Sequence, residues 1–215
     1  MHILSVNVGQ RTPIANAKAS GITGIYKNPA DGPVVVTPLG LDGDFIADTK
    51  HHGGIDQAVY VYGTADYDWW AAELGRPLAP GTFGENLTVA GLASGELAVG
   101  DRLRLGEVVL EVTAPRIPCA TLAARMGDPA FVKRFRAAER PGAYCRVIRE
   151  GLVAAGEAVA LEPFAGPRLG LPESFRDFYT KAWDEAKLRR HLAAPIDIRS
   201  RAYLEELLAA LPAQQ

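Results

Sequence analysis

The sequence predicts a mainly β chain of the α+β class, a barrel-like or sandwich β domain with a few helices, followed by a helical appendage. Three observations predict it. Short β-rich runs recur between Gly- and Pro-rich turns over residues 1–165. One hairpin stands out: residues 102–105 alternate, Gly106-Glu107 suits a two-residue turn, and residues 108–112 return. After Pro172 the apolar residues switch to helical spacing.

In chain order, residues 1–8 read as a strand with Leu4, Val6 and Val8 on one face. Residues 9–33 are rich in Gly, Pro, Asn and Ala, with a short strand expected through residues 24–27. Residues 34–37 are β-branched and read as a buried strand, ended by Pro38. Residues 41–57 form a polar loop of a length that is usually functional or disordered, and its glycines, histidines and acids favour function. Residues 58–62 are a strand. Thr64 is placed to cap a helix over residues 65–74, whose Tyr67, Trp70, Ala71 and Leu74 share a face until Gly75 and Pro77 stop it. Residues 87–89 and 97–99 are short strand candidates. Asp128-Pro129 starts a helix to about Glu139, with Phe131, Val132 and Phe135 facing inward. Residues 144–148 and 153–161 supply further strands.

Phe175, Phe178, Tyr179 and Ala182, then Leu188 and Leu192, then Tyr203, Leu204, Leu207, Leu208 and Leu211 after a cap at Ser200 predict three short helices. The expected division is a β domain at 1–165 and a helical extension at 171–211, joined by a Pro- and Gly-rich linker.

With 215 residues the chain can bury a sizeable core without disulfides. A net charge of -2 gives no reason to expect a nucleic acid polymer or an anionic membrane as partner. Two cysteines, Cys119 and Cys145, make no disulfide framework and fit a reducing compartment. The first residues carry no signal-peptide pattern and no run of ~18 apolar residues occurs, so a cytoplasmic protein is expected.

Cys119 lies in Pro115-Arg116-Ile117-Pro118-Cys119 at a strand-to-helix junction. A cysteine is commonly a small buried hydrophobe. Here two prolines stiffen the backbone, and Arg116 and Arg125 could lower the thiol pKa. Cys145 sits inside an alternating strand and reads as structural. Lys50, His51 or His52 with the amides of Gly53 and Gly54 could cradle an anion; the alternative is a solvated loop. Adjacent histidines point to opposite faces of an extended segment, which argues against zinc. Glu85 and Asn86 could bond a heterocycle or merely close a local turn. Asp42 and Asp44 read as turn formers.

Taken together, Gly40-Leu41-Asp42-Gly43-Asp44, His52-Gly53-Gly54-Ile55-Asp56-Gln57, Phe83-Gly84-Glu85-Asn86-Leu87, Val99-Gly100-Asp101 and the Cys119 motif resemble the MOSC domain family, closest to its YiiM-like branch. The resemblance implies a MOSC-type β-barrel core, and the helical tail resembles that branch's three-helix extension. It also implies a molybdenum–pyranopterin cofactor, the molybdenum cofactor, with Cys119 as molybdenum ligand or persulfide carrier. A soft thiolate suits a redox-active metal. Lys50, His51, His52 and Arg116 are then candidates for the pterin phosphate or edge, and Gln57 and Asn86 for the pterin's donor and acceptor pattern, with Gly53, Gly54 and Glu85 beside them. Amidoxime-reducing relatives carry a second cysteine soon after the first; none lies in residues 120–127 here.

The implied activity is reduction of small N-hydroxylated compounds, such as N-hydroxylated base analogues. Electrons would come from a separate flavoprotein or ferredoxin-like reductase, and a homodimer is allowed for. Two alternatives stay open: a sulfur carrier using a Cys119 persulfide, and a non-enzymatic cofactor-binding module.

Overall fold

The structure is a computed structural model that describes residues 1–15, 21–49 and 52–211. Strands β1 (His2–Gly9), β2 (Thr12–Pro13), β3 (Ile22–Thr23), β4 (Lys27–Pro29), β5 (Val34–Thr37) and β6 (Gly40–Leu41) precede a 3-10 turn, Ile55–Gln57. Then come β7 (Val59–Gly63), α1 (Thr64–Leu74), β8 (Leu87–Ala90), β9 (Arg102–Leu105) and β10 (Val108–Pro115). Helices α2 (Ala120–Met126) and α3 (Phe131–Ala138) lead to β11 (Ala143–Arg149), β12 (Gly151–Val153) and β13 (Val159–Glu162). The C-terminal helices are α4 (Leu171–Thr180), α5 (Glu185–Ala193) and α6 (Ile198–Ala209).

The α+β class holds, with a large sheet and helices. The main sheet has eight strands in the order β13-β9-β10-β11-β7-β8-β1-β4, and its β7–β8 pair is parallel. Among the described residues no continuous strand ladder closes it, so a large sheet is shown and a closed barrel is not. The start of β1 is nonetheless tied to the approach to β13. Ile3 N–H donates to the Glu157 carbonyl at 2.8 Å, and His2 bridges Ala158. A three-stranded sheet, β12-β5-β6, and a two-stranded one, β2-β3, complete the strands.

Several local expectations change for identifiable reasons. A register shift between Ile3 and Ser5 breaks the alternation in β1, so Ile3 and Val6 are buried while Leu4 faces out. The strand expected through residues 24–27 does not form: residues 24–26 are irregular, between β3, which ends at Thr23, and β4, which starts at Lys27. The one expected at 97–99 makes only a single bridge, Ala98 to Gly170. Val36 is buried as expected, but Val35 is exposed, because the small sheet covers one face only. Thr64 opens α1 rather than capping it, and its hydroxyl accepts from the Gly91 amide. The cap of α6 is Asp197, whose carboxylate accepts from the Ser200 amide, and not Ser200 itself.

Two apolar clusters fill the molecule. One is aliphatic and runs from Ile3 and Val36 through Leu103 and Leu110 to Leu171, Leu188 and Leu204. The other is aromatic, with Tyr62, Trp70, Phe83, Phe131, Phe135 and Phe175. The helices of residues 171–211 form as expected, and they contribute to both clusters. Burying such side chains contributes about 1.5–3 kcal/mol each, so the tail helices are held by the same core as the strands.

Candidate functional site

Three neighbouring strands build one wall of a cleft. Tyr60 on β7 pairs in register with Tyr144 on β11, and Ala114 on β10 pairs with Tyr144 from the other side. The two rings lie 5.2 Å apart. Just past β10, Arg116 places its guanidinium 4.9 Å over the Tyr60 ring, an attractive cation–π contact. Pro115 ends the strand, and Cys119 follows as the residue before α2, whose first turn closes on the Cys119 carbonyl through the Leu122 amide at 3.0 Å. This is the strand-to-helix junction expected from the sequence.

The opposing wall comes from the two polar loops. His52, Gly53 and Gln57 line it from one, and Gly84 and Asn86 from the other, with Lys27 and Asp44 at its inner end. The space is about 670 Å³, counted to its open mouth. Gly53 has φ 94° and a side chain there would meet Ile46, so glycine lets the backbone itself form the wall.

Cys119 is partly buried within this cleft. Burial alone would raise its pKa. Hydrogen bonding from His52, the Arg116 charge and the His52 charge outweigh it, with a smaller contribution from the Leu122 amide, and the thiol falls to about 5. It is therefore a thiolate at neutral pH. His52 is oriented in turn by Tyr144, whose hydroxyl lies 3.1 Å from its Nδ1. Arg125, the other cation expected near the thiol, stacks instead on Tyr26 at 4.8 Å. Cys145 matches the structural expectation: it is fully buried in β11 and burial pushes its thiol well above the ordinary range.

Arg116 is almost wholly buried. Its Nη1 donates to the Phe83 carbonyl at 2.6 Å, while its Nε has no partner. Burial works against its charge, yet Tyr144, Tyr60, Cys119 and Glu85 hold its pKa above the usual value. The Gln57 Oε1 is likewise buried without a partner. Buried polar atoms are ordinarily paired; Gln57 and Arg116 both line the cleft, and neither atom has a partner among the described residues, so a ligand that displaces either side chain would find an unused acceptor or donor there.

Other sequence candidates take different roles. Asn86 is consumed by the fold: its Oδ1 accepts from the Tyr60 amide at 3.1 Å, and its Nδ2 donates to Asp44 at 2.9 Å. Glu85 does not line the cleft. It is fully buried, and its carboxylate accepts from the Tyr67 hydroxyl, the Thr88 hydroxyl and the amides of Gly81 and Phe83. Even so, burial raises its pKa. Gly54 shapes the start of the 3-10 turn and does not line the cleft. Lys50 and His51 lie outside the described residues.

Sequence reasoning missed the inner end. Asp44, read as a turn former, makes a close ion pair with Lys27 and also accepts from the Gly9 amide at 2.7 Å. Burial lowers the Lys27 pKa, and Asp44 opposes that shift. Lys27 stands in a turn-rich segment, but its partner is 17 residues away and no local pattern joins them. Among the described residues, no group of three or more His, Cys, Asp or Glu side chains could hold a metal ion. No helix among them is long and apolar enough to cross a membrane.

Comparisons with known proteins bear on this site. The family model for the MOSC domain matches residues 48–160, the span that carries His52, Gln57, Asn86, Arg116 and Cys119. The uncharacterized protein YflK of Bacillus subtilis is 40% identical over 159 residues, 74% of this chain and 72% of that protein. A protein named "Reductase" from Gibberella moniliformis is 36% identical over 143 residues, which are 64% of this chain but 25% of that longer protein. The crystal structure of YiiM from Geobacillus stearothermophilus superposes with a TM-score of 0.78 at 26% identity, covering 96% of this chain and 98% of that one.

Proposed function

Since the chain belongs to the MOSC domain family, we propose that it is a molybdenum-cofactor-dependent reductase of N-hydroxylated compounds, with the Cys119 thiolate as the protein's ligand to molybdenum. The observation that carries this reading is a thiolate in a cleft whose lining also includes Arg116 and Gln57, each with a buried polar atom unpaired among the described residues. The similarity to a fungal protein named "Reductase" supports the reaction type.

The residues present fit such a cofactor. A lone soft thiolate suits a metal that arrives with its other ligands already attached, and the described residues supply no three-ligand cluster of their own. Gln57 Oε1 and Arg116 Nε suit the donor and acceptor edge of a flat heterocycle. Tyr60 and Tyr144, with rings tilted 43° to each other, supply aromatic surface in the lining for it. Bound in this way, the cofactor supplies the two-electron chemistry. The balance is one N-hydroxylated substrate, two electrons and two protons giving the amine and water. A separate flavoprotein or ferredoxin-like reductase is the electron source.

The chain's own residues do the rest. Arg116 holds Cys119 as thiolate and closes the cleft floor over Tyr60. His52, held by Tyr144, orients toward the sulfur. The Lys27–Asp44 pair, fixed by Gly9 and Asn86, keeps the inner end polar but nearly neutral, which favours an uncharged ring over an anion there.

The test is expression in a host that makes the cofactor, followed by metal analysis and a reductase-coupled assay on an N-hydroxylated base. Bound molybdenum and turnover, both lost in Cys119→Ser, are expected. Metal-free protein with a cysteine adduct of ~32 Da, one sulfur atom, would instead establish a persulfide carrier.

A further inference from the structure

We propose that the C-terminal helices belong to the ligand cleft, because through Asp56 they set the position of Gln57; Asp56 is then a positioning residue. This inference rests on the preceding reading that the cleft binds a heterocycle.

Gln57 reaches the cleft from a turn of three residues, whose own backbone bond is Gln57 N–H to the Gly54 carbonyl at 3.0 Å. The two residues before that turn are Gly53 and Gly54, at φ 94° and 83°. Glycines leave the backbone many alternatives, so the turn needs external support.

Asp56 supplies it on three sides. Its Oδ2 accepts from the Ile198 amide at 2.7 Å, 142 residues away in sequence. Ile198 is the first residue of α6, and its amide is one that the helix cannot satisfy internally. The partial positive charge at a helix start also favours a carboxylate there. Its Oδ1 lies 3.1 Å from Arg146 Nε, an ion-pair contact. The Asp56 carbonyl accepts from the Thr113 hydroxyl at 2.5 Å. Arg146 in turn donates to the Pro195 and Ile196 carbonyls at 3.0 and 3.1 Å, which ties the same tail segment to β11. The segment 195–198 therefore grips the turn that carries Gln57 into the wall of the cleft.

A ligand bond made by Gln57 depends on that grip, since small displacements of a positioning group cost large factors. The side chain opposite, Arg116, is held from β10 and Phe83 and does not share this support.

The experiment uses the purified full chain without cofactor and two fluorescence-detected probes, 6-hydroxymethylpterin and a purine base. The first tests the cofactor's ring as source of the recognised edge, the second a base substrate's. Asp56→Ala is expected to weaken the preferred probe about tenfold, equivalent to about 1.4 kcal/mol. Gln57→Ala should weaken it similarly, and the double variant should be no weaker than either single one. Asp56→Asn, which keeps an acceptor for the Ile198 amide, should recover most of the loss. Unchanged binding in Asp56→Ala, or losses that add in the double variant, would overturn the proposal. Should the unaltered chain take up neither probe, the heterocycle reading fails. Hydrogen exchange then decides the strut alone: faster exchange at amides 55–58 in Asp56→Ala, with 120–126 unchanged, supports it, and no change overturns it.

Discussion

The Tyr144 hydroxyl stands 3.1 Å from Nδ1 of His52, so a residue in the middle of the sheet orients an imidazole carried by a long loop. That imidazole is a main reason the Cys119 thiol lies near 5 rather than in the ordinary range near 9.

His52→Ala should therefore raise the Cys119 pKa. Alkylation by iodoacetamide at pH 6 should slow by roughly tenfold for each unit by which the raised pKa exceeds 6. Tyr144→Phe should act in the same direction, more weakly. The sign for stability follows from a thiol held low in the fold. Its contribution is complete above the unfolded thiol range near 9 and is lost as the pH falls toward 5. Alkylation rates against pH, and urea midpoints at pH 9 and pH 5, check both.

The Lys27–Asp44 pair is buried on both sides, and breaking it strands a charge. Lys27→Met should cost about 3–5 kcal/mol. The double substitution Lys27→Met with Asp44→Leu should cost less than the two singles summed, because no uncompensated ion remains. Chemical denaturation of the four proteins measures the coupling.

Glu85 looks from sequence like a ligand residue, and the structure makes it the anchor of its own loop. Glu85→Ala leaves two hydroxyls and two amides without their acceptor, at about 1–3 kcal/mol for each group left unsatisfied. The expected result is severe destabilisation, read as a fall in the thermal midpoint, with the Cys119 pKa little moved in whatever folded protein is recovered.

Phe175 belongs to α4 yet packs on Phe135 in the aromatic cluster, with ring centroids 6.4 Å apart. Phe175→Ala should cost about 3–5 kcal/mol. A single unfolding transition that shifts as a whole would show that the tail and the strands unfold together; a separate early transition would show that they do not.

Much of this was legible locally. The hairpin of β9 and β10 follows from alternation around Gly106, which adopts φ 57° in the turn. Cys119, after Pro115 and Pro118, reads from sequence as the junction between a strand and a helix, and it is there. Asn86 and Glu85 read from sequence as bonding a heterocycle or closing a local turn, while their partners, Tyr60, Asp44 and Tyr67, lie at separations of 26, 42 and 18 residues. A polar residue that completes a buried network and one that meets a ligand have the same composition and the same neighbours in sequence.

The chain's sequence by itself determined its α+β class, the helical tail, the membership signalled by five ordered motifs, and the cysteine proposed as the metal ligand. These depend on periodicity, turn residues and local backbone restriction, which act over a few positions. Tertiary structure alone decided the order of strands in the main sheet, that Lys27 and Asp44 pair beside the cleft, and that among the described residues Gln57 and Arg116 keep unpaired polar atoms. Which polar groups are left over depends on every bond made elsewhere in the fold, and that remainder exists only once distant strands have paired.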